Sequence, residues 1–423
     1  MSTSRRTFLG VLVCMAFAAT ACGASDGPPA AGSTVPGTSS PAATSSSSSA
    51  GTSPTSGSAT TTTRPSSPGA SHGSCAATTY AQLRPNQRVG QLVMVGLETS
   101  QPRAEVGRII SSEHVGNVFY LGGWHGSSTV ADTSNQLQHQ ATSSATGGVG
   151  LLIAADQEGG DVQQLKGPGF SPLPSALQQG AMSSSALVGH ATTIGRELKA
   201  AGVNVDLAPV AGTVPRSIGQ ANQPLGRWGR EYGHTPQTVS PAVTDVVHGL
   251  TRGGVAATLK HFPGLGRVRA NTDFSMTGIT DDVMTTNDPY LRPFSAGIKA
   301  GADLVMMSLA RYPKMDAASP AAFSSKIITQ TLRGDLGFHG VVISDDLNAV
   351  AVRSTPVGQR AVRFIAAGGD IALTGGTLSA PTIVAAILAR SAKDSAFALK
   401  VDRSVHRVLA LKARIGLISC PAK

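Results

Sequence analysis

Val341-Val342-Ile343-Ser344-Asp345-Asp346 is an apolar, β-branched run that ends on two carboxylates. A short run without polar alternation reads as a strand covered on both faces. Burying an unpartnered carboxylate is costly, so acids at the end of such a strand face either a polar cavity or the start of a helix. Asp346 suits a cap on the next helix. Asp345, the last residue in phase with the strand, is the candidate for a cavity. Seven further runs of the same kind occur, at Leu92–Leu97, Gly116–Leu121, Leu151–Asp156, Val203–Pro209, Val255–His261, Leu304–Ser308 and Ile371–Thr374. Amphipathic stretches separate several of them: Ala186–Ala201, Thr235–Arg252, Ser325–Leu336 and Pro381–Arg390. Eight β/α units predict an α/β chain folded as a single (β/α)8 TIM-type barrel. A doubly wound open sheet has the same local rhythm, and the polar residues choose between the two. Gln157 and Glu158 follow the third run, Lys260 and His261 end the fifth, Ser308 the sixth, and Asp345 and Asp346 the seventh. Ionisable groups at several strand ends mark a barrel site. In an open sheet they gather at one switch point.

The barrel does not need the whole chain. Residues 1–22 read as an export signal: Arg5 and Arg6, an apolar run from Leu9 to Ala18, then small residues before Cys22. The apolar run is shorter than the roughly 20 residues that span a bilayer. Small residues ending on a cysteine resemble a lipoprotein cleavage box, so Cys22 is the expected lipidation site and a lipid anchor the only expected membrane attachment. The run Ser4-Arg5-Arg6-Thr7-Phe8-Leu9 also resembles a twin-arginine export signal. Residues 23–74 are Ser, Thr, Pro, Gly and Ala with almost no large apolar side chain. Such a stretch cannot offset its conformational entropy and reads as a disordered linker. The folded part is 75–423. It opens near Cys75 and closes near Cys420. In an oxidising compartment, with chain ends near one another, these two cysteines are expected to form a disulfide. The predicted location is the extracytoplasmic face of the cell membrane, and the expected state a monomer. The net charge of +10 is spread along the chain and aromatics make up only 4%, which excludes a nucleic-acid-binding stripe.

Three segments carry chemistry. The first is the strand end at Asp345. The second is Lys260-His261-Phe262-Pro263-Gly264, a cation and an imidazole before a tight turn, suited to a polyhydroxylated or anionic ligand. The third is Asp156-Gln157-Glu158-Gly159-Gly160, where a carboxylate beside a glycine turn can accept hydrogen bonds from adjacent hydroxyls. No phosphate loop, serine elbow or cluster with metal-ligand spacing is present in the sequence.

Together the strings ADQEGG, GFSPLPSA, AGVNVDLAPV, GREYGHTP, KHFPGLG and GVVISDDL, in this order, resemble glycoside hydrolase family 3, and more closely its bacterial β-N-acetylglucosaminidase branch. The resemblance implies a retaining exo-β-N-acetylglucosaminidase acting on peptidoglycan-derived fragments, single-domain and without metal or cofactor. It implies that Asp345 is the nucleophile. It also implies that Asp156, Arg230, Lys260 and His261 hold hydroxyls of the terminal sugar. One segment departs from the pattern. Where the branch carries Asp-Ser-His, with the His as general acid/base, this chain has Asn271, Thr272 and Asp273. Asp273 then becomes the candidate acid/base, since protonating a leaving oxygen needs only a positioned group of suitable pKa. Supply of the proton by another group remains open, as does a glycan-binding protein without hydrolysis. A β-glucosidase of the same family is a further alternative. Phosphorolysis is disfavoured, because an anionic Asp273 repels phosphate.

Overall fold

The computed structural model describes residues 68–419, with side chains from Cys75 onward. The signal segment 1–22 with Cys22, most of the linker, and Cys420 lie outside the described residues. Eight parallel strands form one sheet: β1 (Val93–Glu98), β2 (Asn117–Leu121), β3 (Leu152–Ala155), β4 (Val205–Asp206), β5 (Ala256–Phe262), β6 (Leu304–Met307), β7 (Val341–Ser344) and β8 (Ala372–Thr374). Consecutive strands are neighbours from β1 to β7, and β8 lies beside β1, with Val93 opposite Ala372. Each predicted run carries one of these strands. A helix follows every strand: Arg103–Ser112, Ser127–His139, Ser184–Ala200, Pro236–Gly253, Arg292–Lys299, Lys326–Asp335, Val357–Ala367 and Ala380–Ser391. Helices outside and side chains inside bury both faces of the strands, and all seven residues of β5 are buried.

Local chemistry sets the element ends. The helix Pro236–Gly253 starts on the side chain of Thr235, has Pro236 where a missing N–H costs nothing, and stops at Gly254 with φ of 87°. Strand β4 is shorter than the run that predicts it, because Pro209 has no N–H for the ladder. Pairing with β5 continues through its carbonyl, which accepts the Lys260 N–H at 3.1 Å, and the Ala211 N–H then donates to Lys260 O at 2.8 Å. The helix Lys326–Asp335 is wound wide, with the Leu336 N–H reaching Thr331 O at 2.9 Å. Ahead of the barrel, the helix Pro68–Gln82 starts inside the stretch read as linker up to residue 74. Proline is favoured in a first helical turn, which a composition argument overlooks. This helix packs against the C-terminal helix Ser395–Arg414, and Cys75 is disulfide-bonded. Among the described residues no helix is long and apolar enough to cross a membrane.

The barrel all but closes, and side chains finish its seam. Strands β7 and β8 meet at a single bridge, Ile343 to Ile371. The Ser344 N–H donates to Ile371 O at 2.9 Å. Around that bridge, carboxylates and a hydroxyl stand in for backbone carbonyls. Asp370 accepts from the Val342 N–H at 2.8 Å, Ser344 Oγ from the Leu373 N–H at 2.9 Å, and Asp346 from the Gly375 N–H at 2.9 Å. Asp370 is fully buried and also takes Arg333 at 2.6 Å and Arg407 at 2.8 Å. Removing one partner of a buried charge set costs about 3–5 kcal/mol, since the others stay desolvated. Asp370→Ala is therefore expected to lower the unfolding free energy by about that amount, read as an earlier denaturant midpoint. A loss below about 1 kcal/mol, the scale of an exposed ion pair, would refute this role.

Candidate active site

The C-terminal ends of the strands surround one cavity of about 290 Å³. Its wall is apolar at Phe119, Leu121, Val162, Leu207, Leu265, Met306 and Leu373. Its polar lining includes Asp156, Arg230, Lys260, His261, Asn271, Thr272, Asp273, Asp345 and Asp346. All six sequence-predicted site residues, Asp156, Arg230, Lys260, His261, Asp273 and Asp345, thus meet in one place. Ser308 does not join them; it is fully buried and takes hydrogen bonds from the Ala310 N–H and the Tyr312 hydroxyl.

Glu158 organises one side of the cavity. It is fully buried and forms a two-pronged pair with Arg230, Nε to Oε2 at 2.8 Å and Nη2 to Oε1 at 2.7 Å. Lys260 Nζ lies 2.5 Å from the same carboxylate and also contacts Asp156. Burial opposes ionisation of Glu158, but Arg230 and then Lys260 outweigh it and hold its pKa at about 2. Burial likewise disfavours charge on Lys260, and Asp156 and Glu158 reverse that, raising its pKa. Three chain segments are joined here: the turn after β3, the loop after β4 and the end of β5. Arg230 is further fixed by its bond to Pro224 O at 2.8 Å. In the turn after β3, Gly159 has φ of 105°, and a Cβ there would come within 2.2 Å of Pro174 O. His261 is buried beside these cations. Burial, then Arg230 and Lys260, push its pKa well below the usual value, so the imidazole is neutral. Its Nδ1 is buried and has no hydrogen-bond partner among the described residues.

The other side carries acids. Asp345 follows β7 directly; its N–H donates to Met307 O at 3.0 Å, and its Oδ1 accepts from the Asp346 N–H at 2.9 Å. Asp346 caps no helix. It takes the N–H groups of Asn348 at 2.8 Å and Gly375 at 2.9 Å, and so serves the seam. Asp273 stands on the loop after β5, at the mouth of the cavity. That loop is tied to the segment after β7, with the Val350 N–H on Asp273 O at 3.2 Å and the Ala351 N–H on Thr272 O at 3.0 Å. Asn271 Oδ1 accepts the Asp273 N–H at 2.9 Å. Asp345 and Asp273 titrate as a pair. Burial and then the Asp273 charge raise Asp345; enclosure by protein and then the Asp346 charge raise Asp273. Two carboxyl groups so placed retain one proton after the other is lost. Paired carboxyls beside hydroxyl-binding groups can perform nucleophilic and acid/base work on a sugar. Among the described residues no group of three or more His, Cys, Asp or Glu is placed to hold a metal ion.

Residues 85–411 match the Glycosyl hydrolase family 3 N terminal domain. This chain belongs to glycoside hydrolase family 3. It is 38% identical over 231 residues to a beta-hexosaminidase of Xanthomonas oryzae pv. oryzae, covering 53% of this chain and 66% of that relative. The chain thus matches just under two thirds of the length of that curated relative. The solved structure of a beta-N-acetylhexosaminidase from Beutenbergia cavernae superposes with a TM-score of 0.76 at 45% identity, over 78% of this chain and 99% of the other. A family 3 beta-N-acetylglucosaminidase from Paenibacillus sp. superposes with a TM-score of 0.71 at 33% identity, over 81% and 64%.

Two buried acids of this family 3 chain are assigned no site role by the sequence. Glu158 is visible as a strand-end acid, but its partner Arg230 lies 72 residues away. Asp206 ends β4 inside AGVNVDLAPV and is fully buried, accepting the Gln157 N–H at 3.1 Å. Burial raises its pKa to about 8, against that hydrogen bond and Lys260, with Asp156 and Glu158 adding to the rise. A folded pKa above the unfolded one gives stability that is complete below the unfolded value, near 3.8, and fades as pH rises through about 8. Asp206→Asn keeps the acceptor oxygen and cannot ionise. Its melting temperature is expected to match the parent near pH 3.5 and exceed it at pH 9. The same offset at both pH values would show that Asp206 does not hold a proton in the fold.

Proposed function

We propose that this protein is a retaining exo-β-N-acetylglucosaminidase that removes terminal N-acetylglucosamine from peptidoglycan-derived fragments. The observation that carries the reading is the meeting of Asp345 and Asp273 in one small cavity with Asp156, Arg230, Lys260 and His261. The names of the similar proteins support the sugar. The cavity, at the lower end of the roughly 300–1,000 Å³ of ligand pockets, suits one terminal ring and hence exo action.

In the proposed mechanism, Asp156, Lys260, Arg230 and neutral His261 bind the hydroxyls of that ring. The Asp345 carboxylate attacks the anomeric carbon as the bond to the leaving oxygen breaks, and Asp273 gives its proton to that oxygen. Asp273, now a carboxylate, then takes a proton from water. That water attacks the anomeric carbon and frees Asp345. The division needs the proton on Asp273; the Asp346 N–H at Asp345 acts in that direction, against burial and the Asp273 charge, which push Asp345 up to about 8. We further propose export by the signal at 1–22, lipidation at Cys22 and a linker that holds the domain off the extracytoplasmic face of the membrane. The disulfide at Cys75 supports pairing with Cys420. We take the protein to act as a monomer.

Asp345→Ala is expected to lower release of N-acetylglucosamine by about 10⁴-fold or more, with the circular-dichroism spectrum unchanged. Retained turnover would remove Asp345 as nucleophile. Asp273→Asn is expected to slow cleavage of a disaccharide by about 10²–10⁴-fold. Nitrophenyl glycosides, whose leaving groups need little protonation, should lose about tenfold or less. Equal losses on both substrates would assign the proton to another group. Faster turnover of β-glucosides than of β-N-acetylglucosaminides by the parent protein would overturn the sugar assignment.

A further inference from the structure

Arg360 is a buried cation that the mechanism above does not use. It stands near the start of the helix Val357–Ala367, is 7% exposed, and has no ion pair among the described residues. Burying a charge without a counter-ion is costly. Here one loop offsets the cost. Arg360 Nη1 donates to Leu347 O at 2.5 Å, Nε to Thr355 O at 2.5 Å and Nη2 to Arg353 O at 3.3 Å. All three carbonyls belong to the segment between β7 and this helix, and they lie on either side of Val350 and Ala351. A guanidinium suits the task, because its donors form a rigid planar fork.

Val350 and Ala351 in turn hold the stretch that bears Asp273. Their N–H groups donate to Asp273 O at 3.2 Å and Thr272 O at 3.0 Å. Among the described residues, no other hydrogen bond joins 271–277 to the rest of the chain. The remaining bonds of that stretch stay within it, such as the Phe274 N–H on Asn271 O and the Ser275 hydroxyl on Thr277 O. Packing adds little beyond the buried Thr272, since Asp273 is exposed and Phe274 is 81% exposed. The place of the Asp273 carboxyl therefore depends on these two backbone bonds, and an offset of about 1 Å in a reacting group can cost about 10²-fold in rate.

We infer that Arg360 is a positioning residue for the proton donor: it fixes the loop after β7 by gathering Leu347, Arg353 and Thr355, and through Val350 and Ala351 that loop sets where Asp273 meets the leaving oxygen. The inference rests on the glycosidase reading above, with Asp273 as its acid, and adds the residue that aims it. Arg360 does not line the cavity and acts only through the backbone it holds. An arginine that merely stabilised the fold would slow all substrates alike. One that aims the proton donor matters most where the leaving oxygen needs the proton.

The test uses the full chain, with kcat/KM on a β-1,4 disaccharide of N-acetylglucosamine expressed relative to that on a nitrophenyl β-N-acetylglucosaminide. Arg360→Lys keeps the charge and loses the fork; it should lower this ratio by about three- to tenfold. Val350→Pro tests the same path without touching Arg360. It deletes the N–H on Asp273 O at a position that opens a helical turn, and Ala349 before it, with φ −56° and ψ 150°, is already extended as a following proline requires. It should also lower the ratio by about three- to tenfold. In an Asp273→Asn background, with no donor left to aim, both changes should move the ratio by less than about twofold. A ratio unchanged in Val350→Pro or in folded Arg360→Lys, or lowered equally with and without Asp273, would overturn the positioning role and leave the glycosidase reading standing. No release of nitrophenol by the parent protein would overturn that reading, and a ratio unchanged by Asp273→Asn alone would remove Asp273 as donor; the inference falls with either.

Discussion

The site depends on one buried charge. Glu158 has almost no exposed surface, yet its carboxylate stays ionised because Arg230 and Lys260 reach it from two other segments. The two cations need Glu158 as much as it needs them: without it, they would sit desolvated beside each other. The result is a neutralised cluster whose members hold one another at hydrogen-bonding distance. It fixes Lys260 against Asp156, orients Arg230, and keeps His261 uncharged by surrounding it with positive groups. Four groups that line the cavity are thereby placed by a fifth that lies behind them.

The barrel was legible because its rhythm is local. Each of the eight apolar runs is short, β-branched and bounded by turns, and each carries a strand. Strand-end chemistry was legible for the same reason: Asp345 and the Lys260-His261 pair stand where an apolar run stops. What the sequence hid is long-range. The pairing of Glu158 with Arg230 joins residues with no common local pattern. Asp206 reads as one more residue of an apolar motif until its burial is seen. Asp346 shows the opposite limit, since its sequence position suggests a helix cap while its carboxylate closes the seam through Gly375. The start of the first helix at Pro68 was lost to composition, which averages over residues that individually favour a helical first turn.

The departure from the family pattern at Asn271-Thr272-Asp273 becomes easier to understand in three dimensions. A carboxyl group can replace an imidazole as proton donor only where it keeps its proton near neutral pH. Although Asp273 is exposed to solvent at the mouth, the protein packed around it and the nearby charges of Asp346 and Asp156 act in that direction. In our proposal, the acids that crowd this end of the barrel are therefore part of what makes the substitution workable. Arg230, which acts against it, is largely spent on Glu158.

The backbone bonds from Val350 and Ala351 to the Asp273 loop carry a mechanical meaning. They connect the segment just after Asp345 to the loop that bears Asp273, so the backbone itself ties the two acid-bearing stretches together. The spacing of the two carboxyl groups is thereby built into the main chain and does not rest on side-chain contacts alone.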